Sequence, residues 1–452
     1  MLEWFDWAHH ERILNMPARP ELVEGCERIN FIKEQSMLSY LLQYNRYMSL
    51  IGIIIILFIA FLFSNNKRKI CLRTIFSSLF LLFLIGFLTL KVSGGQRVLE
   101  SISSVIAKIY LLADDGARFI FGNLVDVNSN WGFIFGIKVL PIIIFFGALT
   151  SILFYLGIIQ KFVQVIGFVL RPFLGTSGSE TLCAVANSFL GQTEAPLLIR
   201  NYLSNMTKSE LFVVMVSGMA TISGSILAVF AAMGIPAKFM LSASVMAIPA
   251  SILIAKIFYP EVDTSETANG KIEESKSSAT NIFDAIATGT FDGLHLAVNV
   301  AAMLIVFISL IGLINLLLSG FSGYLNDWFN LGLPTLNLNY FFSWIFAPFA
   351  YLLGFTGQGI ADVATLLGTK ITINELIAYS QMVKMNLTER GQAIITMALC
   401  GFANFSCIGI QIGGIGALAP EKRKWLTELG LKTVFAASLA NLLSAMVANL
   451  IL

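Results

Sequence analysis

The sequence predicts an all-α polytopic membrane protein with about eight crossings and two re-entrant hairpins, built from two copies of one unit. Three observations carry this. Of the 452 residues, 56% are hydrophobic and 12% charged, where soluble domains carry about a quarter charged residues. Charge-free stretches of about 20 residues recur along the chain, each long enough to cross ~30 Å of hydrocarbon as a helix. Finally, one short pattern occurs twice. Asn187-Ser188-Phe189-Leu190-Gly191-Gln192-Thr193-Glu194 is followed by Gly218-Met219-Ala220-Thr221-Ile222-Ser223, and Ile373-Asn374-Glu375 by Gly401-Phe402-Ala403-Asn404-Phe405-Ser406. In each copy a carboxylate in apolar surroundings precedes a Gly-apolar-Ala-Thr/Asn-apolar-Ser run, 24 positions on from Glu194 and 26 on from Glu375. The copies lie about 182 residues apart, the mark of an internal duplication.

Composition also excludes classes. The net charge of +2 is spread between apolar segments, whereas a nucleic-acid surface needs clustered Lys and Arg. Cys26, Cys71, Cys183, Cys400 and Cys407 show no metal-ligand spacing, and three of them lie in membrane-depth sequence, which argues against a disulfide framework. With His9, His10 and His295 as the only histidines, no His-based metal centre is available.

In chain order, residues 1–46 hold mixed charge and a Pro17-Ala18-Arg19-Pro20 break. They are expected to be an extension outside the fold, disordered or dispensable. Residues 47–172 read as scaffold helices plus an interfacial helix. Residues 47–66 make a charge-free first span, and the basic loop Lys67-Arg68-Lys69 after it favours the cytoplasmic side. Residues 74–90 return. In 94–127, Val98, Ile102, Val105, Ile106 and Ile109 recur at helical spacing with Arg97, Glu100 and Lys108 between them, which suits a helix lying on the membrane surface. Residues 139–160 cross again, and 161–171 form an amphipathic connector.

Residues 173–259 form the first repeat. Charge-free runs within 176–200 reach at most 13 residues, too short to cross. Such a segment is tolerated at membrane depth only when buried in protein or lining a cavity, as in a re-entrant hairpin. Spans at 211–236, interrupted by polar residues, and 239–255 follow. Residues 260–282 are a polar, acidic, Ser-rich linker between the halves, and 283–335 hold a scaffold span. Residues 336–452 form the second repeat. Its hairpin is drawn from 328–361, interrupted by Pro334, Pro348, Gly354, Gly357 and Gly359, together with 369–378. Spans at 391–420 and 433–452 close the chain, joined by a second basic, cytoplasmic joint at Glu421-Lys422-Arg423-Lys424.

The repeated stretches are the candidate site. A carboxylate at membrane depth is costly and defaults to function. Gln192 and Thr193 beside Glu194, and Asn374 beside Glu375, offer donors and acceptors suited to a polar, uncharged ligand rich in hydroxyl or amide groups. The Thr221 and Asn404 runs mark places where a helix unwinds and exposes carbonyls. Oxygens with one amide are hard ligands that suit an alkali cation. Phe402 flanks Asn404 and can stack on a planar ligand. Two plainer readings stand beside these. Ser and Thr in spanning helices often bond back to their own helix, and each of the two acids could be held in a purely structural ion pair with a basic partner. A membrane-embedded enzyme using Glu194 and Glu375 as an acid/base pair is a further reading, although no nucleophile–base motif or phosphate loop accompanies them.

At these residues a resemblance enters. Gly191-Gln192-Thr193-Glu194-Ala195-Pro196-Leu197, Met206-Thr207-Lys208-Ser209-Glu210-Leu211-Phe212 and Gly218-Met219-Ala220 closely resemble the concentrative nucleoside transporters of bacterial type. Asn374-Glu375, Ala378-Tyr379 and Cys400-Gly401-Phe402-Ala403-Asn404-Phe405-Ser406 resemble the second half of the same family, and the likeness runs from about residue 48 to the end. The resemblance implies a homotrimer in the inner membrane, each protomer holding an elevator-type transport domain on a scaffold, with inverted repeats. It implies uptake of nucleosides such as uridine by sodium symport, proton coupling being the alternative. It assigns the nucleobase to Gln192, Thr193 and Glu194, the ribose to Glu375 and Asn404, and a place beside the base to Phe402. The sodium ligands it implies are the Asn187 side chain, the Leu190 carbonyl, Thr221 and the Ile222 carbonyl. Two features depart from the family pattern. Cys407 stands where a second Ser is usual, and Gly354-Phe355-Thr356-Gly357-Gln358-Gly359 replaces a Pro-Trp near the second hairpin.

Overall fold

The computed structural model describes residues 39–126, 130, 132, 134–268, 279–330, 332 and 334–452. These are all-helical, without a strand among them. The helices are α1 (Arg46–Leu62), α2 (Leu72–Leu90), α3 (Ser93–Phe121), α4 (Leu140–Tyr155), α5 (Ile158–Leu174), α6 (Gly178–Asn187), α7 (Lys208–Ala220) and α8 (Gly224–Ala232). After them come α9 (Ala237–Phe258), α10 (Ile282–Phe329), α11 (Leu338–Leu352), α12 (Gln358–Thr372), α13 (Glu375–Met382), α14 (Glu389–Leu399), α15 (Ser406–Leu418) and α16 (Arg423–Ile451).

Seven helical segments among the described residues are long and apolar enough to cross a membrane. The eighth crossing expected from the sequence, over 391–420, is two short helices, α14 and α15, parted by an unwound stretch at 400–405. A helix of 11 or 13 residues rises under ~20 Å, so neither crosses alone. The buried centre is built from α7, α9 and α16. In Ala237–Phe258 and Pro420–Ile451, 89% of the most apolar window is buried, and in Lys208–Ala232 94%. Helices apolar on every side are stable only when other helices surround them. By contrast the apolar window of α10, Ile308–Phe329, is 6% buried and faces outward. With 48 residues, α10 is about 72 Å long at 1.5 Å per residue, over twice the hydrocarbon thickness. It packs along α4. A Cβ on Gly147 would sit 2.6 Å from the Gly289 carbonyl and 2.9 Å from the Gly293 Cα, the close backbone approach that small residues permit in membranes.

α1 and α2, read from the sequence as scaffold, pack against α16 and α9 of the buried centre. α3 is one continuous amphipathic helix, and α5 is the connector expected before the first hairpin.

The two hairpins enter from opposite ends. At one end Asn65 donates its backbone N–H to the Phe258 carbonyl (2.8 Å), Lys208 pairs with Glu428 (2.7 Å), and Lys422 donates to the Met206 carbonyl (2.9 Å). Both basic joints therefore lie at this end, as the charge rule required of two cytoplasmic loops. The first hairpin starts and finishes here. Its first arm, α6, opens on a capping box in which the Ser177 N–H donates to the Glu180 carboxylate (2.7 Å). Lys256 pairs with that carboxylate (2.8 Å). Residues 195–203 return from the tip as a short 3-10 turn and a single helical turn. At the other end Arg390 donates to Asn449 Oδ1 (2.6 Å), and a Cβ on Gly354 would meet Asn449 at 2.7 Å. The second hairpin, α12 and α13, starts and finishes there.

Two expectations are corrected, and a third segment is described more closely. The second hairpin takes only the last residues, 358–361, of the 328–361 run, because α11 lies within that run as a separate helix packed on α12. The Gly354–Gly359 stretch accordingly forms the turn into α12, with positive φ at Gly354 and Gly357, and the hairpin tip is at 373–374. The polar linker is tied down over its first part. Glu261 accepts from Thr207 (2.9 Å), and Thr267 bonds Ser179 (2.8 Å), tying residues 261–267 to the first hairpin's base. Finally, the expected extension is folded over 39–46. Tyr40 donates to the Leu450 carbonyl (2.6 Å), and Arg46 is buried against it. Residues 1–38, and 269–278 of the linker, lie outside the described residues.

Candidate substrate and ion site

Each hairpin tip is fastened to the break of the broken helix that follows it. In the first half the Gly224 N–H, at the start of α8, donates to the Phe189 carbonyl (3.1 Å). In the second half the Phe405 N–H, just before α15, donates to the Ile371 carbonyl (3.2 Å). These bonds satisfy backbone groups that unwinding would otherwise leave unpaired at membrane depth. The two breaks also touch. The Phe402 N–H donates to the Thr221 carbonyl (3.3 Å). At Gly401, φ is +155°, and a Cβ would fall 2.6 Å from Asn441 Oδ1 and 2.8 Å from the Ala220 carbonyl. Only glycine fits this crossing.

Polar side chains converge around it. Glu375, 5% exposed, accepts from Asn404 Nδ2 (3.1 Å). Asn404 Oδ1 in turn accepts from Ser406 Oγ (2.6 Å) and the Cys407 N–H (3.1 Å). Asn374 is committed elsewhere, its Oδ1 capping α13 by accepting from the Ile377 N–H (3.0 Å). From the other half, Gln192 Oε1 accepts from Gln411 Nε2 (3.1 Å), one turn beyond Cys407 on α15. Thr193 packs on the same helix, since a Cβ on Gly414 would lie 2.7 Å from Thr193 Cγ2. Glu194 accepts from the Gly191 N–H (3.1 Å) and closes the tip on itself. The fold thus brings Gln192, Thr193, Glu375, Asn404 and Cys407 to one place, with Phe402 half-buried beside them.

The four residues of the expected ion set lie on facing segments of the first half. Asn187 Nδ2 donates to Ser217 Oγ (3.0 Å), and Thr221 Oγ1 donates to the Ser217 carbonyl (2.8 Å). Leu190 follows Phe189 directly and Ile222 stands two residues before Gly224, the two ends of the bond between tip and break. Asn187 is 1% exposed, and its Oδ1 has no hydrogen-bond partner. A buried amide oxygen without a donor costs about 1–3 kcal/mol, so its place calls for a cation or a donor. Thr221 makes the back-bond to its own helix that plain structure would require, yet its hydroxyl oxygen keeps lone pairs to offer. The donor set therefore fits an alkali cation.

Models of known families match most of the chain. One described as Na+ dependent nucleoside transporter N-terminus covers residues 51–124, one described as Nucleoside recognition covers 136–237, and one described as Na+ dependent nucleoside transporter C-terminus covers 239–449. The nucleoside permease NupC of Helicobacter pylori is 39% identical over 89% of this chain and 97% of its own. The chain belongs to the concentrative, sodium-dependent nucleoside transporter family. This nucleoside transporter is also 36% identical to the putative nucleoside permease NupX of Escherichia coli, over 89% of this chain and 97% of that one. Its fold matches CNTnw in an inward-facing substrate-bound state with a TM-score of 0.83 and 37% identity, covering 90% of this chain and 98% of that one. The transporter is an integral membrane protein and not an enzyme, which sets aside the acid/base reading of Glu194 and Glu375.

Four polar residues of the transporter's centre escaped the sequence reading: Ser217, Gln411, Asn441 and Lys370. Asn441 Nδ2 donates to the Ala220 and Cys400 carbonyls (2.7 Å each), and Lys370 donates to Asn441 Oδ1 (2.7 Å). The available signal was a polar side chain inside an otherwise apolar run. No spacing tied any of the four to the repeated motifs.

Proposed function

We propose that this transporter is a sodium-coupled nucleoside importer of the inner membrane, a symporter that works as a homotrimer with an elevator-type transport domain in each protomer. The observation that carries the ion is the buried, unpartnered Asn187 Oδ1, held by Ser217 next to Thr221, with the Leu190 and Ile222 carbonyls as further ligands. Sodium between the hairpin tip and the first break orders residues 188–194, and so completes the substrate site on that same tip. The family description as Na+ dependent supports the same reading.

In the substrate site Gln192, Thr193 and Glu194 read the nucleobase edge with amide, hydroxyl and carboxylate groups. Glu375 and Asn404, already bonded to each other (3.1 Å), take the ribose hydroxyls. Phe402 stacks beside the base. Cys407, a weak hydrogen-bond partner, leaves the ribose one firm contact fewer than a serine would. The inward ion gradient and the membrane potential drive uptake, each charge contributing ~2.3 kcal/mol per 100 mV.

The test is uptake of radiolabelled uridine into proteoliposomes, with an imposed sodium gradient against a choline control at two pH values. Sodium-dependent accumulation is the expected result. Uptake that follows pH alone would overturn sodium in favour of proton coupling.

A further inference from the structure

Lys370 stands in the last turn of α12 and is 2% exposed. Its ammonium donates to the Ala398 carbonyl (2.9 Å) and to Asn441 Oδ1 (2.7 Å). Among the described residues no carboxylate forms an ion pair with it. Asn441 spends its amide hydrogens on the Ala220 and Cys400 carbonyls. Ammonium and amide together therefore gather three carbonyls at the C-terminal ends of α7 and α14. A helix C-terminus carries about half a negative elementary charge, so two such ends meeting in a dry interior form a place for a cation.

The first half has its own such place, at Asn187, and the two lie at corresponding ends of their hairpins. The carbonyls fastened to the breaks are Phe189 in one half and Ile371 in the other. Asn187 precedes Phe189 by two residues and Lys370 precedes Ile371 by one. Each side chain ends the first arm of its hairpin, and each reaches the last turn of the half-helix ahead of its own break, at Ser217 and Ala398. One half presents an amide oxygen without a donor, and the other presents a positive charge on a tether.

We propose that Lys370 is a built-in cationic group occupying the second repeat's counterpart of the sodium position, so that the duplicated core holds one exchangeable cation and one tethered to the chain. The inference rests on the sodium reading at Asn187. The tethered ammonium steadies the crossing of the two broken helices through every step of transport, including the return without ligands. The exchangeable one reports on substrate. Lys370 is thus a positioning residue that touches neither nucleoside nor ion.

The experiment follows the thermal unfolding midpoint of the purified full-length protein as sodium chloride replaces choline chloride at constant ionic strength. Wild type and Lys370→Arg are expected to show one saturating sodium response, which Asn187→Ala removes. Lys370→Asn, which frees the oxygens and supplies another, is expected to unfold earlier in choline and to regain stability in sodium, with a Hill coefficient moving from about 1 toward 2. The double variant Asn187→Ala/Lys370→Asn is expected to keep a sodium response that Asn187→Ala alone lacks. Lys370→Met is expected to unfold early without rescue. A Lys370→Asn response like that of wild type, or a shortfall that sodium leaves untouched as in Lys370→Met, would overturn the proposal. If neither neutral variant can be purified, the wild-type ratio of charge moved to uridine moved decides it: one charge supports a single exchangeable site, and two overturn it. Loss of the sodium reading shows separately, as a wild-type response that Asn187→Ala does not change.

Discussion

Glu375 illustrates how a carboxylate survives at membrane depth in this molecule. It has no lysine or arginine within ion-pair distance among the described residues, and it accepts a hydrogen bond from the Asn404 amide. A hydrogen bond to a charged group contributes about 1.5–3 kcal/mol, which is about 10–100-fold in an equilibrium. Glu375→Gln is therefore expected to lower uridine uptake by about 10–100-fold while the protein still reaches the membrane and elutes as a single species. Glu194→Gln, at a tip held by the Gly191 N–H, is expected to cripple uptake in the same way. Full transport by either variant would sink the site assignment. Gly401→Ala acts on stability instead. It adds a Cβ 2.6 Å from Asn441 Oδ1 at a φ of +155°, and is expected to cost more than about 2 kcal/mol, read as an earlier unfolding midpoint in detergent.

At the scale of the element, a hairpin tip works by fitting a helix that belongs to the other repeat. Thr193 lies against Gly414 and Gln192 against Gln411, both on α15. Gly414→Ala places a methyl 2.7 Å from Thr193 Cγ2, so the tip must lift and the nucleobase contacts spread. The variant is expected to raise the KM for uridine, and Thr193→Ser, which removes that methyl but keeps the hydroxyl, is expected to restore part of it. A coupling of about 0.5–3 kcal/mol between the two positions is the expected range for side chains in contact. Strictly additive effects in the four-way comparison would mean that the tip does not seat on α15 during transport. The broken helices were legible as elements because Gly, Thr/Asn and Ser interrupt apolar runs. The second hairpin was misplaced toward 328–361 because proline and glycine mark a turn without saying which turn. Here they mark the one into α12, with the tip formed by the plain Ile373-Asn374 pair.

For the whole molecule, the ligands proposed for sodium and for nucleoside share the tip at 188–194, so their binding is expected to be coupled, and coupling is reciprocal. Sodium is expected to tighten uridine by the same factor by which uridine tightens sodium, within the 5–150-fold range of such couplings. Titration calorimetry in both orders measures it, and the absence of any effect in either order would remove the shared tip as the coupling device. The close-packed pair α4 and α10, with its outward apolar face, stands apart from the buried centre, which agrees with a frame around a moving core. Light scattering in detergent is expected to give the mass of three protomers.

Much of this molecule was decided locally. Membrane character, the duplication, the acids Glu194 and Glu375 and both broken helices depend on composition and on motifs within a few residues, and those are properties of the chain itself. The pairing of Gln192 with Gln411, the grouping of α1 and α2 with the centre, and the burial of Lys370 against Asn441 were decided only in three dimensions. They join positions 71 to 400 residues apart along the chain, and neither hydrophobic period nor local spacing carries information over such a distance. A lysine in an apolar run is a cost by sequence alone. It becomes a functional part only where folding brings carbonyls from two half-helices around it.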